Sequence, residues 1–208
     1  MARNSPSESP RETGPGGRPT GRPGSPRARL FLALDLPAPV RAALGAWRDD
    51  AIAKRGDLRA VPPEALHVTL VFLGYRPEKE IPRIAEAAFS AATGLRAPRL
   101  AATGLRPLPP RRPRLFALDL ADEDGRAAAL QTATGDALAA ARYYRPEKRP
   151  FWVHLTLARV KRGQRAEPLE APPPPGDAFN ATELTLYRST LRPQGARYDA
   201  LERTSLSS

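Results

Sequence analysis

Two apolar runs in this chain are interrupted in the same way. Leu66-His67-Val68-Thr69-Leu70-Val71-Phe72-Leu73 and Phe151-Trp152-Val153-His154-Leu155-Thr156-Leu157 are rich in β-branched and aromatic residues, the composition of strands. Successive side chains on a strand point to opposite faces, so His67 shares a face with Thr69, and His154 shares one with Thr156. A fold that holds both runs has to bury their apolar faces and present two His-Thr faces elsewhere.

These are the only histidines among 208 residues. Twelve residues are threonine, so chance would place a threonine two positions after each of two histidines in roughly 0.3% of such chains. One histidine on a strand is more often a core or edge residue than a catalyst. Two structural histidines have no reason to share the threonine, so the duplicate points to a working pair. Imidazole, with a pKa of about 6.5, exchanges a proton near neutrality.

The remainder reads as α+β, with strands alternating with helices in two similar halves. The first half contains a strand over residues 30–36 and a helix from near Pro39, with Val40, Leu44, Trp47 and Ala51 on one stripe. A short strand at 58–61, a motif strand ended by Gly74, a helix over 82–92 presenting Ile84 and Ala88, and a strand at 99–105 follow. The second half has a strand near 115–120, a helix over 125–141 with Leu130, Thr134 and Leu138 in register, a loop at 143–150 and the second motif strand. After a stiff connector at Pro172 to Pro175, strands at 183–187 and 197–201 close the chain. Two halves that each carry a motif strand imply a pseudo-two-fold arrangement, with the motif faces opposed across a cleft.

Residues 1–28 stand apart: six prolines, five glycines and no aromatic side chain cannot bury enough surface to offset their ordering entropy. They are expected to form a disordered tail, and residues 29–208 a single domain. The net charge is +11, of which +4 falls on residues 1–29 and +7 on the rest. A basic body suits a polyanion. Arginine outnumbers lysine 29 to 4, however, as a GC-rich genome would produce unaided, so charge by itself decides little. There is no cysteine, hence no disulfide, thiol nucleophile or thiolate metal site. Apolar runs fall far short of the roughly 20 residues of a membrane span, and the Arg-rich start lacks a signal peptide's apolar stretch. A cytoplasmic protein with no membrane association is expected.

The two H-x-T-x motifs resemble those of the 2H phosphoesterase superfamily, and more narrowly the RNA 2′,3′-cyclic phosphodiesterases, also called 2′-5′ RNA ligases of the LigT/ThpR type. The likeness extends to Arg29-Leu30-Phe31-Leu32-Ala33-Leu34-Asp35-Leu36, to His154-Leu155-Thr156-Leu157-Ala158-Arg159, and to Leu186-Tyr187-Arg188-Ser189 with Gly195-Ala196-Arg197-Tyr198. The resemblance implies two lobes, each an antiparallel sheet backed by helices, with the active site between them. It implies hydrolysis of RNA 2′,3′-cyclic phosphate ends to 2′-phosphates, and 2′-5′ ligation, the joining of a cyclic phosphate to a 5′-hydroxyl, as the reverse of 2′-5′ bond cleavage. No cofactor or metal is called for, the partner is RNA ending in a cyclic phosphate, and a monomer is expected.

Two histidines facing one cleft suit that chemistry: one accepts a proton from the attacking water, the other protonates the departing ribose oxygen. The resemblance makes His67 the donor and His154 the acceptor; the sequence by itself does not order them. Thr69 and Thr156 can each donate a hydrogen bond to a non-bridging phosphate oxygen. The resemblance also places Arg159 near the phosphate, although an odd offset of five from His154 puts it on the opposite face unless the strand bends. Phe31, Phe151 and Tyr187 are candidates for stacking on a base, with core packing the commoner role. Two other classes compete: a noncatalytic nucleotide-binding module, opposed by the completeness of both motifs, and a metalloenzyme, opposed by the lack of a carboxylate at a chelating offset.

Overall fold

The computed structural model describes residues 25–192 and 195–207. In chain order the elements are β1 (Arg27–Asp35), α1 (Ala38–Ile52), β2 (Leu58–Ala60), β3 (His67–Pro77), α2 (Ile81–Ala92), β4 (Arg99–Leu108), β5 (Leu115–Asp122), α3 (Arg126–Ala140), β6 (His154–Val160), β7 (Phe179–Asn180), β8 (Glu183–Arg192) and β9 (Gly195–Ser205). Residues 1–24, most of the expected tail, lie outside the described residues. The boundary needs correcting by two positions, because β1 begins at Arg27 and buries Ala28 against the core.

Alternation builds β1. Leu30, Leu32 and Leu34 enter the main core, while Phe31 and Ala33 pack on the other side with Tyr187. The helices start where backbone N–H groups are dispensable or capped. Proline occupies the first turn of α1 and of α2, where its missing N–H is no loss. At α3 the carboxylate of Asp122 accepts from the N–H groups of Ala127 (3.1 Å) and Ala128 (2.9 Å), next to a left-handed Gly125 (φ 67°). The stripes of α2 and α3 hold, with Ile84, Ala88, Leu130, Thr134 and Leu138 buried, whereas of the α1 stripe only Leu44 is buried and Val40, Trp47 and Ala51 are half-buried.

The strands run β7-β4-β5-β6-β3-β1-β8-β9, with β2 added beside β6 and every named pairing antiparallel. Two lobes are thus present, β3-β1-β8-β9 and β7-β4-β5-β6 with β2. They are not separate sheets facing one another. The motif strands β3 and β6 lie side by side and pair at one position, Val68 with Leu155. The division also departs from two consecutive halves, since β8 returns to flank β1 and β2 crosses to β6. Nor does Gly74 end the first motif strand. It adopts a left-handed conformation (φ 69°) beside Leu73, which has no partner opposite, and the strand continues to Pro77.

The double cap on α3 gives a direct test. Asp122→Ala removes the acceptor for two helical N–H groups and should lower stability by about 1 kcal/mol, with a smaller loss for Asp122→Asn. Urea titration of both variants measures it; an unchanged midpoint in Asp122→Ala would show that the cap contributes nothing.

Candidate active site

A cavity of about 470 Å3 opens at the seam between the lobes, and His67, Thr69, His154, Thr156 and Arg159 all line it. The parity objection to Arg159 is answered by the backbone. On β6, Thr156 faces Ala117 and Ala158 faces Phe116, so Leu157 is an extra residue, a β-bulge. Leu157 and Ala158 are consecutively buried, and the strand resumes one step out of phase, with Arg159 on the histidine side. The same device follows the first motif. There Thr69 faces Ala33 and Val71 faces Leu32, so Leu70 is the extra residue, and Phe72 joins His67 and Thr69 in the cavity. In both strands the bulge falls three residues after the histidine and delivers the fifth residue to the site.

The strands flanking the motifs are duplicates too. Ala33-Leu34-Asp35-Leu36 on β1 and Ala117-Leu118-Asp119-Leu120 on β5 set Asp35 opposite His67 and Asp119 opposite His154. Each carboxylate holds an aromatic ring against its histidine. Asp35 accepts from the Tyr187 hydroxyl (2.6 Å) and from Thr185 Oγ1 (2.8 Å), and Tyr187 lies stacked 5.9 Å from His67 with Phe31 at 4.8 Å. Asp119 accepts from Trp152 Nε1 (2.7 Å) and from Arg106, and Trp152 stacks on His154 with ring centroids 3.9 Å apart and planes within 10°. Each imidazole also bonds the backbone two residues upstream, His154 Nδ1 to the Trp152 carbonyl at 2.8 Å and His67 to Ala65. With Nδ1 of His154 so engaged, its Nε2 is the nitrogen left for chemistry.

Electrostatically the cavity is an anion site. Among the described residues Arg29, Arg59, Arg159 and Arg192 line it and no aspartate or glutamate does. Burial pushes the His67 imidazole down to about 4; the bond to Ala65 and the Asp35 carboxylate oppose this, while His154 and Arg159 add to it. Burial thus favours the neutral imidazole at pH 7. Burial, and the bond to Asp35, hold the Tyr187 phenol above its ordinary value.

Of the three aromatics considered for stacking, Phe31 and Tyr187 are buried packing partners of His67, whereas Phe151 lines a neighbouring cavity. Phe72 was missed because alternation without bulges assigns it to the wrong face, and Trp152 was missed although period two within the run 151–157 already set it on the face of His154. Asp35 and Asp119 were missed although the repeated Ala-Leu-Asp-Leu was there to find. Among the described residues no three His, Cys, Asp or Glu side chains converge as metal ligands would, and no helix is long and apolar enough to cross a membrane.

Comparison with known proteins agrees with this geometry. Residues 36–192 match the family model of the 2′-5′ RNA ligase superfamily. An RNA 2′,3′-cyclic phosphodiesterase of Thermus thermophilus is 36% identical over 189 residues, covering 86% of this chain and 90% of that protein. One of Escherichia coli is 32% identical over 192 residues, covering 86% and 97%. The crystal structure of E. coli LigT with 3′-AMP superimposes with a TM-score of 0.73 at 26% identity, covering 88% of this chain and all of that one. A crystal structure from Thermus thermophilus gives 0.72 at 33% identity, covering 86% and 97%.

The depressed His67 makes stability depend on pH. The unfolded chain takes up the proton near the ordinary value of 6.5, the folded chain only near 4. The stabilising difference is complete above 6.5 and is lost as pH falls toward 4, about 3 kcal/mol in all. Urea titrations at pH 7.5 and 4.5 should show wild type losing about 2 kcal/mol more than His67→Gln; equal losses would mean His67 is not held neutral.

Proposed function

The chain belongs to the 2′-5′ RNA ligase superfamily, and from that footing we propose that it hydrolyses RNA 2′,3′-cyclic phosphate ends to 2′-phosphomonoesters. The observation that carries this reading is the convergence of both His-Thr pairs on one arginine-lined, carboxylate-free cavity. His154 Nε2 takes the proton of the attacking water, and His67 gives a proton to the departing O3′. The hydroxyls of Thr69 and Thr156 donate to the non-bridging oxygens, and Arg159 balances the charge that gathers on them.

A neutral His67 looks unsuited to donate. The substrate alters that balance, since a phosphate anion about 4 Å from the ring favours the imidazolium by about 4 kcal/mol at an effective dielectric of about 20. Burial costs it about 3 kcal/mol, the equivalent of a fall from 6.5 to about 4. The two are of similar size, so a bound phosphate offsets the burial and brings the proton affinity of His67 back toward neutrality. His154, anchored through Nδ1, is left as the base.

The same reading includes a monomeric cytoplasmic enzyme that needs no metal. The arginines of the segment before β1 add positive charge for long RNA. A binding module without turnover would have no need of two histidines, each fixed by a carboxylate-held ring.

A short RNA ending in a 2′,3′-cyclic phosphate should yield a 2′-phosphate end, with activity unaffected by EDTA. His67→Ala and His154→Ala should each lower kcat by about 10²–10⁴ without unfolding the protein. Thr69→Val and Thr156→Val should each cost about 1.5–3 kcal/mol in kcat/KM. Near-normal turnover in either histidine variant would end the acid-base reading.

The order of roles is read from the leaving group. With His67 as donor, a substrate carrying sulfur in place of O3′, which departs without a proton, should recover activity in His67→Ala and not in His154→Ala. Recovery in His154→Ala instead would make His154 the donor.

A further inference from the structure

Beside the phosphate cavity lies a second one of about 440 Å3, and the two share Thr69, Phe72 and His154. His67 does not reach it. We propose that this second cavity is the subsite for a nucleoside bearing a free 5′-hydroxyl, the alcohol that replaces water as nucleophile in 2′-5′ bond formation. The proposal rests on the functional reading above, which sets His154 at the nucleophile's end of an in-line displacement and His67 at the leaving group's end. A ligand held where only His154 is in reach is then the entering group.

Charge supports the same occupant. The first cavity has four arginines and no acid, whereas the second has Asp136 and Glu147 against Arg149. It offers no excess positive charge to a second phosphate, and a 5′-hydroxyl end carries none. Its walls suit a base: Trp152, Tyr144, Phe151 and Phe72 supply aromatic surface, and Gln131 supplies an amide for base edges. One wall is also kept bare. Gly135 sits in the interior of α3, where glycine costs about 1 kcal/mol relative to alanine. Packing does not demand it, since a Cβ there would meet Tyr144 and Gln131 at ordinary contact distances of 3.6 and 3.7 Å. The missing side chain leaves room in the cavity.

The step balances without a further reactant. The 5′-oxygen attacks phosphorus, its proton passes to His154, the P–O3′ bond breaks, and O3′ takes the proton of His67. A 2′-5′ phosphodiester and a free 3′-hydroxyl result, with the strained five-membered ring as the driving force.

The test uses the full chain, a dinucleotide ending in 2′,3′-cyclic phosphate, and adenosine as the alcohol. Transfer product, identified by mass and by its 2′-5′ linkage, should rise with adenosine and saturate. Gly135→Leu, which fills the cavity, should lower the ratio of transfer to hydrolysis at least tenfold. Thr132→Arg at an exposed cavity position on the same helix should do so as well, and serves if Gly135→Leu does not fold. Transfer that stays linear in adenosine would overturn the assignment. So would an unchanged ratio with hydrolysis itself weakened, which would put the cyclic phosphate's own nucleoside in this cavity. Absence of hydrolysis is a different result, because it removes the functional reading as well.

Discussion

A single backbone pair, Val68 with Leu155, sets the relation between the two motifs. In an antiparallel ladder one step along a strand is one step back along its neighbour. His67 therefore stands across from Thr156, and Thr69 across from His154. The four side chains occupy the corners of a rectangle whose diagonals join like with like. Displacement at phosphorus needs its two proton-transfer groups at opposite ends and its hydrogen-bond donors at the sides. A diagonal pair of imidazoles with threonines at the other corners meets both requirements, and it follows from register alone.

Register would be of little use if the rings could turn. Each imidazole is fixed three times, by a backbone group two residues upstream of its strand's first residue, by an aromatic face, and by the carboxylate that holds that aromatic in place. The two cages differ in depth. Tyr187 and Asp35 are buried, whereas Arg106 and Asp119 are more open to solvent. That difference gives two identical side chains different surroundings, so a symmetric scaffold yields an asymmetric pair, one imidazole held low by burial until an anion arrives.

Much of this was legible in the chain. Strand cores and helix stripes declared themselves through period, as Leu30, Leu32 and Leu34 or Leu130, Thr134 and Leu138 show. The histidine-threonine pairs declared themselves through repetition. What stayed hidden was partnership: nothing in the alternation of residues 183–192 says that they return to β1, or that three residues at Leu58–Ala60 cross to β6. Hydrophobic period specifies which face is buried and says nothing of what it meets. The positions of Phe72 and Arg159 were hidden for another reason, because a bulge changes phase without changing composition.

Those bulges bear on how such a sequence can drift. Leu70 and Leu157 contribute apolar bulk, and many apolar side chains could replace them. Their count is another matter. Losing one residue between Thr156 and Arg159 would erase the bulge and leave a regular ladder, with the guanidinium still on the histidine side but the local bend and extra twist gone. The spacing from histidine to threonine to the fifth residue, two and then three, therefore tolerates substitution, and of the two changes in length it is an insertion that would turn the fifth side chain away from the site.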